Sequence, residues 1–176
     1  YDGLKYTALK DIHVAFDANV GLFKGETCSM DWRTHTYPNW FINSVIADSF
    51  SSGTNALHKF FYQFLGTAGR IIQKPAEEIA MWEKYSGLLK ENINKHFWDE
   101  KQGCYTCYLY PEYLGYRPTQ RVGVMSNGLA AVLDIATTGQ SIQMVENFPL
   151  YPYGAAVLYP SIPDDFSYHN KSVWPV

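Results

Sequence analysis

Two long segments near the middle of the chain carry apolar side chains at helical spacing and are separated by only a few residues. The first runs from about Thr54 to Arg70, where apolar residues recur at steps of three and four. Thr54 is a suitable N-cap for it. The second follows Pro75, which suits the first turn of a helix, and continues to Phe97. Two amphipathic helices with so short a connection predict a helical hairpin.

Weaker patterns predict the remaining elements. They are a helix over Leu4–Val14, a turn over Asp99–Gly103, a short strand over Cys104–Tyr110, a helix capped by Ser126 or Asn127, and a short helix over Ile142–Asn147. No strict repeat of fixed length is visible, which disfavours a regular solenoid. We predict an all-α chain of helical hairpins with a small β-hairpin, whose long aromatic loops gather at one end as in a toroid.

The composition limits the classes of function. Of the 176 residues, 47% are hydrophobic and 18% are charged, which is typical of a globular chain, and the net charge of -3 argues against a nucleic-acid partner. No apolar run reaches the roughly 18 residues that a membrane span requires. Aromatic residues make up 16% of the chain, and Tyr and Trp form flat, half-polar walls that suit a ligand as well as a core.

One segment without periodicity, residues 25–40, collects the side chains with the most chemistry. They are Glu26, Asp31, Trp32, Arg33, His35, Tyr37 and Trp40. A carboxyl group packed beside an indole has a raised pKa, as a general acid needs. An adjacent arginine either anchors a substrate hydroxyl or keeps the carboxylate ionised. The alternative is a buried Asp31–Arg33 pair that only holds the loop, and the residues alone favour neither interpretation.

Two later segments also have a functional and a structural interpretation. Tyrosines between residues 149 and 163 could line a cleft of sugar size, because pyranose rings stack on aromatic faces. Alternatively, the four prolines there stiffen a loop that covers the core. Residues 168–175 cluster hydrogen-bonding groups and end in Trp-Pro.

Residues that bind metals or carry redox chemistry are sparse. Cys104 and Cys107 have the spacing of a redox or metal pair, but in a strand their side chains point to opposite faces, so we interpret them as structural. The five histidines form no metal-ligand spacing. The sequence therefore predicts no metal site and no cofactor.

Several short motifs, taken in order, resemble those of one enzyme superfamily. They are Met30-Asp-Trp-Arg-Thr-His-Thr-Tyr-Pro38, Thr54-Asn-Ala-Leu-His58, Ser126-Asn-Gly-Leu-Ala130, Tyr151-Pro-Tyr-Gly154 and Tyr168-His-Asn-Lys-Ser-Val-Trp-Pro175. From about Gly21 onward the chain resembles the six-hairpin, (α/α)6-toroid glycosidases. The resemblance implies a glycoside hydrolase that acts on an oligosaccharide or polysaccharide, with its cleft at the loop end of the toroid.

The resemblance also implies roles for particular residues. Asp31 would be the general acid, and Trp32 and Arg33 would position the sugar. The other residues expected at the substrate are His35, Trp40, Tyr168, His169 and Trp174.

Six ordinary hairpins need on the order of 300 residues, so residues 1–176 would form part of a single catalytic domain and an incomplete ring. The second catalytic carboxylate is then Glu26 or a residue beyond Val176. Inversion is the preferred stereochemical outcome, because it needs no separate nucleophile. The substrate class alone suggests a periplasmic or extracellular location.

Two other functions fit the same features. A polysaccharide lyase or epimerase on a similar toroid would use Tyr168 or His169 for proton transfer. A non-catalytic carbohydrate-binding protein would keep the aromatic cleft without an acid and base.

Overall fold

The computed structural model describes residues 1–25 and 43–160 of the chain. Just over half of these residues lie in helices, which are α1 Asp2–Ala15, α2 Asn43–Ala47, α3 Ser52–Ile71, α4 Ala76–Phe97, α5 Val124–Val132 and α6 Thr138–Asn147. Helices therefore dominate the described chain, as the sequence predicts.

Short strands are more numerous than the sequence predicts. They are β1 Phe16–Asp17, β2 Leu22–Phe23, β3 Phe50–Ser51, β4 Trp98–Asp99, β5 Cys104–Tyr105, β6 Tyr108–Glu112, β7 Gly115–Pro118, β8 Val122–Gly123, β9 Leu150–Tyr151, β10 Gly154–Ala155 and β11 Leu158–Tyr159. All pair antiparallel, β3 with β6 and β7 in one sheet and the others two by two. The predicted all-α chain with one small β-hairpin therefore has too few strands. The strand predicted over Cys104–Tyr110 is two strands that belong to different sheets.

The predicted helical hairpin is confirmed. α3 packs against α4, and the buried rings of Tyr62 and Trp82 stack between them with their centroids 5.8 Å apart. The predicted start of α3 is wrong, because the N-cap is Ser51, whose Oγ accepts a hydrogen bond from the Thr54 N–H at 3.3 Å. The helix therefore begins before Thr54.

The chain contains two copies of one structural unit. The first unit comprises α1, β1, β2, β3 and α3, and the second comprises α4, β4, β5, β8 and α5. Each contains the pattern aromatic, Asp, three residues, Gly, one residue, aromatic, at Phe16–Phe23 and at Trp98–Tyr105. Both segments are hairpins in the same register, with the two aromatic residues opposite each other.

The turns of these two hairpins also match in their hydrogen bonds. In each, the Asp side chain accepts the N–H groups of the residues two and three positions further on, at 2.9 and 3.3 Å for Asp17 and at 2.9 and 3.2 Å for Asp99. Gly21 and Gly103 both have a positive φ, 74° and 59°. The repetition has no fixed period, because the connection from the hairpin to α3 spans residues 24–51 in the first unit and the connection from the hairpin to α5 spans residues 106–123 in the second.

The helix predicted to be capped by Ser126 or Asn127 begins earlier. α5 starts at Val124, so both residues lie within its first turns, and both are buried. The prediction that either residue is the N-cap is therefore wrong.

The core lies between α3, α4 and the short strands, and part of α3 faces outward. Leu57, Phe60 and Phe64, at steps of three and four, are each more than two-fifths exposed. Within residues 1–25 and 43–160, no helix combines the length and the apolar character that a membrane crossing requires.

Candidate functional site

All the site residues predicted from the sequence lie outside the described residues. They are Glu26, Asp31, Trp32, Arg33, His35 and Trp40 in residues 26–42, and Tyr168, His169 and Trp174 in residues 161–176. What the structure does give is the place at which each of these two segments joins the fold.

The segment 26–42 joins the fold beside the start of α3. The Gly25 N–H, just before the segment, donates to the Ser49 carbonyl oxygen at 3.0 Å. Lys24 forms a β-bridge with Phe50, which belongs to the strand that leads directly into α3. The residues just before the segment are therefore held against the strand that leads into this helix.

The segment 161–176 joins the fold beside the start of α5. β11 pairs with β8, which leads directly into α5, and Val124 N–H donates to the Val157 carbonyl oxygen at 3.2 Å. Arg121 Nη1 donates to the Pro160 carbonyl oxygen at 2.7 Å. The last described residues are thus held against the N-terminal end of α5.

Hydrogen bonds connect the starts of these two helices. Ser52, the first residue of α3, donates its hydroxyl to the carbonyl oxygens of Thr106 and Cys107 at 2.8 and 2.9 Å. Thr106 in turn bridges to Val122, at the start of β8. The two segments with the predicted site residues are therefore attached to the same end of the α3–α5 pair.

Asn55, in the first turn of α3, fixes that end of the helix to the hairpin of the first unit. Its Oδ1 accepts the Phe23 N–H at 2.7 Å, and its Nδ2 donates to the carbonyl oxygens of Phe23 and Ser51 at 3.0 and 2.9 Å. The side chain is fully buried. Because three of its possible hydrogen bonds are made to main chain, the amide sets the position of the helix relative to β2.

Asn127 makes the same bonds at the start of α5. Its Oδ1 accepts the Tyr105 N–H at 2.7 Å, and its Nδ2 donates to the carbonyl oxygens of Tyr105 and Gly123, both at 2.9 Å. Asn55 and Asn127 appear in the sequence motifs, but the sequence reasoning assigned neither this role. This role could have been predicted from the sequence, because an asparagine comes after each of the two aromatic–Asp–Gly–aromatic hairpins.

A cluster of charges lies where the segment 26–42 begins. Lys24 Nζ is 2.6 Å from Asp48 Oδ1 and 3.0 Å from Asp17 Oδ2. Tyr116, on β7, donates its hydroxyl to the same Asp48 oxygen at 3.3 Å. The ammonium group also lies over the rings of Phe50 and Tyr116, 5.8 and 5.6 Å from their centroids.

The surroundings of this cluster favour its charged form. The hydrogen bond to Asp48 raises the pKa of Lys24 well above its usual range, so the amine is protonated. Burial opposes ionisation of Asp17, but the hydrogen bonds from Lys24 and from two main-chain N–H groups outweigh it and lower the pKa of this carboxyl.

Three further sequence predictions concern the two cysteines, the segment rich in tyrosine and proline, and metal ligands. Cys104 and Cys107 are buried in different hydrophobic clusters, and burial raises the pKa of the Cys104 thiol. In the segment of residues 149–160, Tyr153 is 87% exposed, whereas Leu158 packs against the buried Cys107 and Tyr108, so part of this segment covers the core. No three His, Cys, Asp or Glu side chains come together as metal ligands among the residues that the structure describes.

Comparison with solved structures gives a likeness of fold. The chain is similar in structure to neutral trehalase Nth1 from Saccharomyces cerevisiae, with a TM-score of 0.55 and 19% sequence identity. The match covers 69% of this chain and 23% of the trehalase chain, so it corresponds to less than a quarter of that protein. No family model matches the sequence, and no curated protein matches it. The fold of the described chain is thus similar to part of a trehalase.

Proposed function

We propose that residues 1–176 are part of a glycoside hydrolase catalytic domain of the (α/α)-toroid type. The observation that carries the proposal is the shared attachment of residues 26–42 and 161–176 at the starts of α3 and α5. Active-site residues are commonly placed on loops that a rigid scaffold positions. The likeness of fold to a trehalase, whose name is that of a glycosidase, supports the same class of reaction.

In the proposed reaction, Asp31 in its protonated form donates a proton to the glycosidic oxygen as the bond to the anomeric carbon breaks. A second carboxylate accepts a proton from the water that attacks this carbon from the opposite face. Glu26 is the candidate for the second role within the chain, and inversion is the expected outcome. Trp32, Arg33, His35 and Trp40, with Tyr168, His169 and Trp174 from the later segment, would bind the sugar.

The test is turnover by the protein and by an Asp31→Asn variant, on a panel of glycosides that includes trehalose and longer oligosaccharides. We expect kcat to fall by about 100-fold or more in the variant, because a positioned general acid contributes about that much. Binding of the substrate, measured by calorimetry, should change little. The matched control is Asp2→Asn, since Asp2 is an exposed side chain in the first turn of α1 that forms a surface ion pair with Lys74.

The products distinguish hydrolysis from the other reactions that the sequence allows. A hydrolase yields saturated reducing sugars, whereas a lyase yields an unsaturated sugar that absorbs in the near ultraviolet. Unsaturated products, or full activity in Asp31→Asn, would contradict the proposal. Binding to glycans without turnover by the wild-type protein would favour a carbohydrate-binding protein instead.

A further inference from the structure

The chain also contains part of a third unit, which is formed by α6, β9, β10 and β11. The hairpin of β9 and β10 follows α6 directly, as the hairpins of the first two units follow α1 and α4. The Ala156 N–H donates to the carbonyl oxygen of Pro149, just before β9, at 3.4 Å. In the second unit the Thr106 N–H donates to the carbonyl oxygen of Phe97, just before β4, at 2.8 Å. The hairpin β9–β10 is therefore the third copy of β4–β5.

The pairing of β11 supports the same equivalence. β6 pairs with β3, the strand before α3, and β11 pairs with β8, the strand before α5. The first residue of α3, Ser52, donates its N–H to the Cys107 carbonyl oxygen at 2.8 Å. The first residue of α5, Val124, donates its N–H to the Val157 carbonyl oxygen at 3.2 Å. Within residues 1–25 and 43–160, the third unit has no helix that corresponds to α3 and α5.

The hairpin of the third unit presents a main-chain donor and acceptor where the other two hairpins are bound by asparagine. Ala155 corresponds to Phe23 and Tyr105, whose N–H and C=O groups bind an asparagine side chain of the following helix. Ala155 lies opposite Leu150 in a pair without mutual hydrogen bonds, so its N–H and C=O point away from β9. No side chain in the described part of the chain binds either group.

One face of α5 is open where the same face of α3 is covered. The covered residues of α3 are Ser52, Ala56 and Lys59. Lys59 donates to the carbonyl oxygen of Leu133, the C-cap of α5, at 2.7 Å, so α5 is part of what covers this face. Counted from the asparagine of each helix, the corresponding residues of α5 are Val124, Gly128 and Ala131. All three are exposed, so the next helix in the series would pack here.

α6 also leaves an apolar side chain open on the third unit. Val145 lies five residues before β9, and Ile93 lies five residues before β4. Ile93 is 1% exposed in the complete second unit, whereas Val145 is 78% exposed. The hairpin, α5 and α6 therefore each have an open group at a position that a complete unit covers.

We propose that this open side of the third unit is a docking site for an amphipathic helix with an asparagine in its first turn. The asparagine binds the N–H and C=O of Ala155, and the apolar face of the helix covers Val145 and the exposed face of α5. The inference does not depend on the proposed reaction.

The lengths of the connections indicate where the partner helix comes from. The second unit uses residues 106–123 between its hairpin and α5, and the first unit uses more. A connection as long as the shorter one, beginning at Ala156, would run to residue 173. Too few of the 176 residues then remain for a helix with an asparagine in its first turn. The partner is therefore a helix from outside these 176 residues.

The test measures amide hydrogen exchange at Ala155 in the full chain, with and without a peptide. The peptide has the sequence of residues 120–136, because this segment contains α5, which fills the corresponding site of the second unit. A second peptide carries Asn127→Ala. Each peptide is added free and, in a second measurement, is joined to the C-terminus by a flexible linker, which raises its effective concentration. The Tyr105 amide is the reference, because Asn127 binds it.

We expect the Ala155 amide to exchange faster than the Tyr105 amide in the protein alone. The first peptide should slow exchange at Ala155 by about 10-fold or more, because the asparagine accepts this N–H. The Asn127→Ala peptide should bind about 10-fold more weakly or worse. Val145→Glu should weaken binding of the first peptide. The matched control Val14→Glu, at a position of α1 that is 71% exposed, should leave binding unchanged.

Two results overturn the inference. The first is exchange at Ala155 that the joined peptide does not slow, or that both peptides slow equally. The second is an Ala155 amide that already exchanges as slowly as the Tyr105 amide in the protein alone. Residues 161–176 or a second copy of the chain would then fill the site, and only filling by a second copy would depend on protein concentration.

Discussion

Asn55 and Asn127 make the same three main-chain hydrogen bonds at the starts of two different helices. Each amide binds both the N–H and the C=O of the aromatic residue that ends a short hairpin, and a carbonyl oxygen four residues before itself. Such agreement in geometry indicates one structural solution used twice. The two buried amides therefore fix the starts of α3 and α5, where the predicted site segments attach.

Replacing Asn127 by alanine should lower the free energy of unfolding by about 2–4 kcal/mol, because the buried N–H and C=O of Tyr105 and the C=O of Gly123 each lose the hydrogen bond to its side chain. Asn55→Ala should cost a similar amount. Asn19→Ala is the control, since Asn19 lies in an exposed turn, where its main-chain N–H donates to Asp17. Chemical denaturation of the three variants measures the difference, and losses in the two buried variants no larger than in Asn19→Ala would contradict this role.

The turn of the second hairpin should reject a side chain. Gly103 has φ 59°, and a β-carbon there would lie 2.7 Å from Asn147 Nδ2, on α6. Gly103→Ala should therefore destabilise the protein by more than about 1 kcal/mol. Gly87 is an exposed residue inside α4 with open space around it, so Gly87→Ala should instead stabilise by up to about 1 kcal/mol. Thermal unfolding of the pair measures the opposite signs, and a loss in both would show that the Gly87 site is also constrained.

The long helices could be predicted from the sequence because their apolar residues keep helical spacing over many turns. Their starts were harder to predict. Ser51 and Thr54 are both suitable caps, and what decides between them is the strand pairing of Ser51, which is a tertiary contact. Most of the strands are only two residues long, so they carry no periodic signal. Three of them, β3, β8 and β11, also depend on pairing with segments that are distant in the sequence.

The repetition could also have been found, because the aromatic–Asp–Gly–aromatic pattern occurs twice in the sequence. The two units have connections of different lengths, so the repetition has no fixed period and does not show up as a regular repeat in the sequence. The contact of Lys24 with Asp48 could not be predicted, since it joins the two ends of a long connection. The roles of Asp31 and the other site residues stay predictions.

Lys59 should contribute more to stability than Lys90, although both ammonium groups lie near the carboxylate of Asp134, at 4.0 and 3.0 Å. Its buried ammonium donates to the Leu133 carbonyl oxygen, at the C-cap of α5, at 2.7 Å and to Gln63 at 2.8 Å. Lys90 instead makes an exposed ion pair with Asp134 at 3.0 Å. We expect Lys59→Met to cost about 1–2 kcal/mol, and Lys90→Met less than about 1 kcal/mol. Urea unfolding compares them, and equal costs would mean that the bond to the α5 cap contributes little.

His58 should make the stability of the protein depend on pH. Its ring stacks on Phe23 with the centroids 4.1 Å apart, its Nδ1 lies 3.0 Å from the Thr54 carbonyl oxygen, and its Nε2 lies 3.9 Å from Asp11. Burial lowers the pKa of this imidazole, and the Thr54 carbonyl and Asp11 offset only part of that effect. The folded state therefore favours the neutral ring.

The sign of the pH effect follows from this direction. The unfolded chain binds a proton at His58 with a pKa of about 6.5, and the folded chain does so only at lower pH. The contribution of His58 is therefore complete above that value and is lost as the pH falls towards the folded-state pKa. Because His58→Gln removes the titrating group, the wild type should lose more stability than this variant between about pH 7.5 and about pH 5. His13→Gln, at an exposed position of α1, is the control. A wild type and a His58→Gln variant with parallel pH profiles would show that the ring is protonated as easily in the folded state as in the unfolded one.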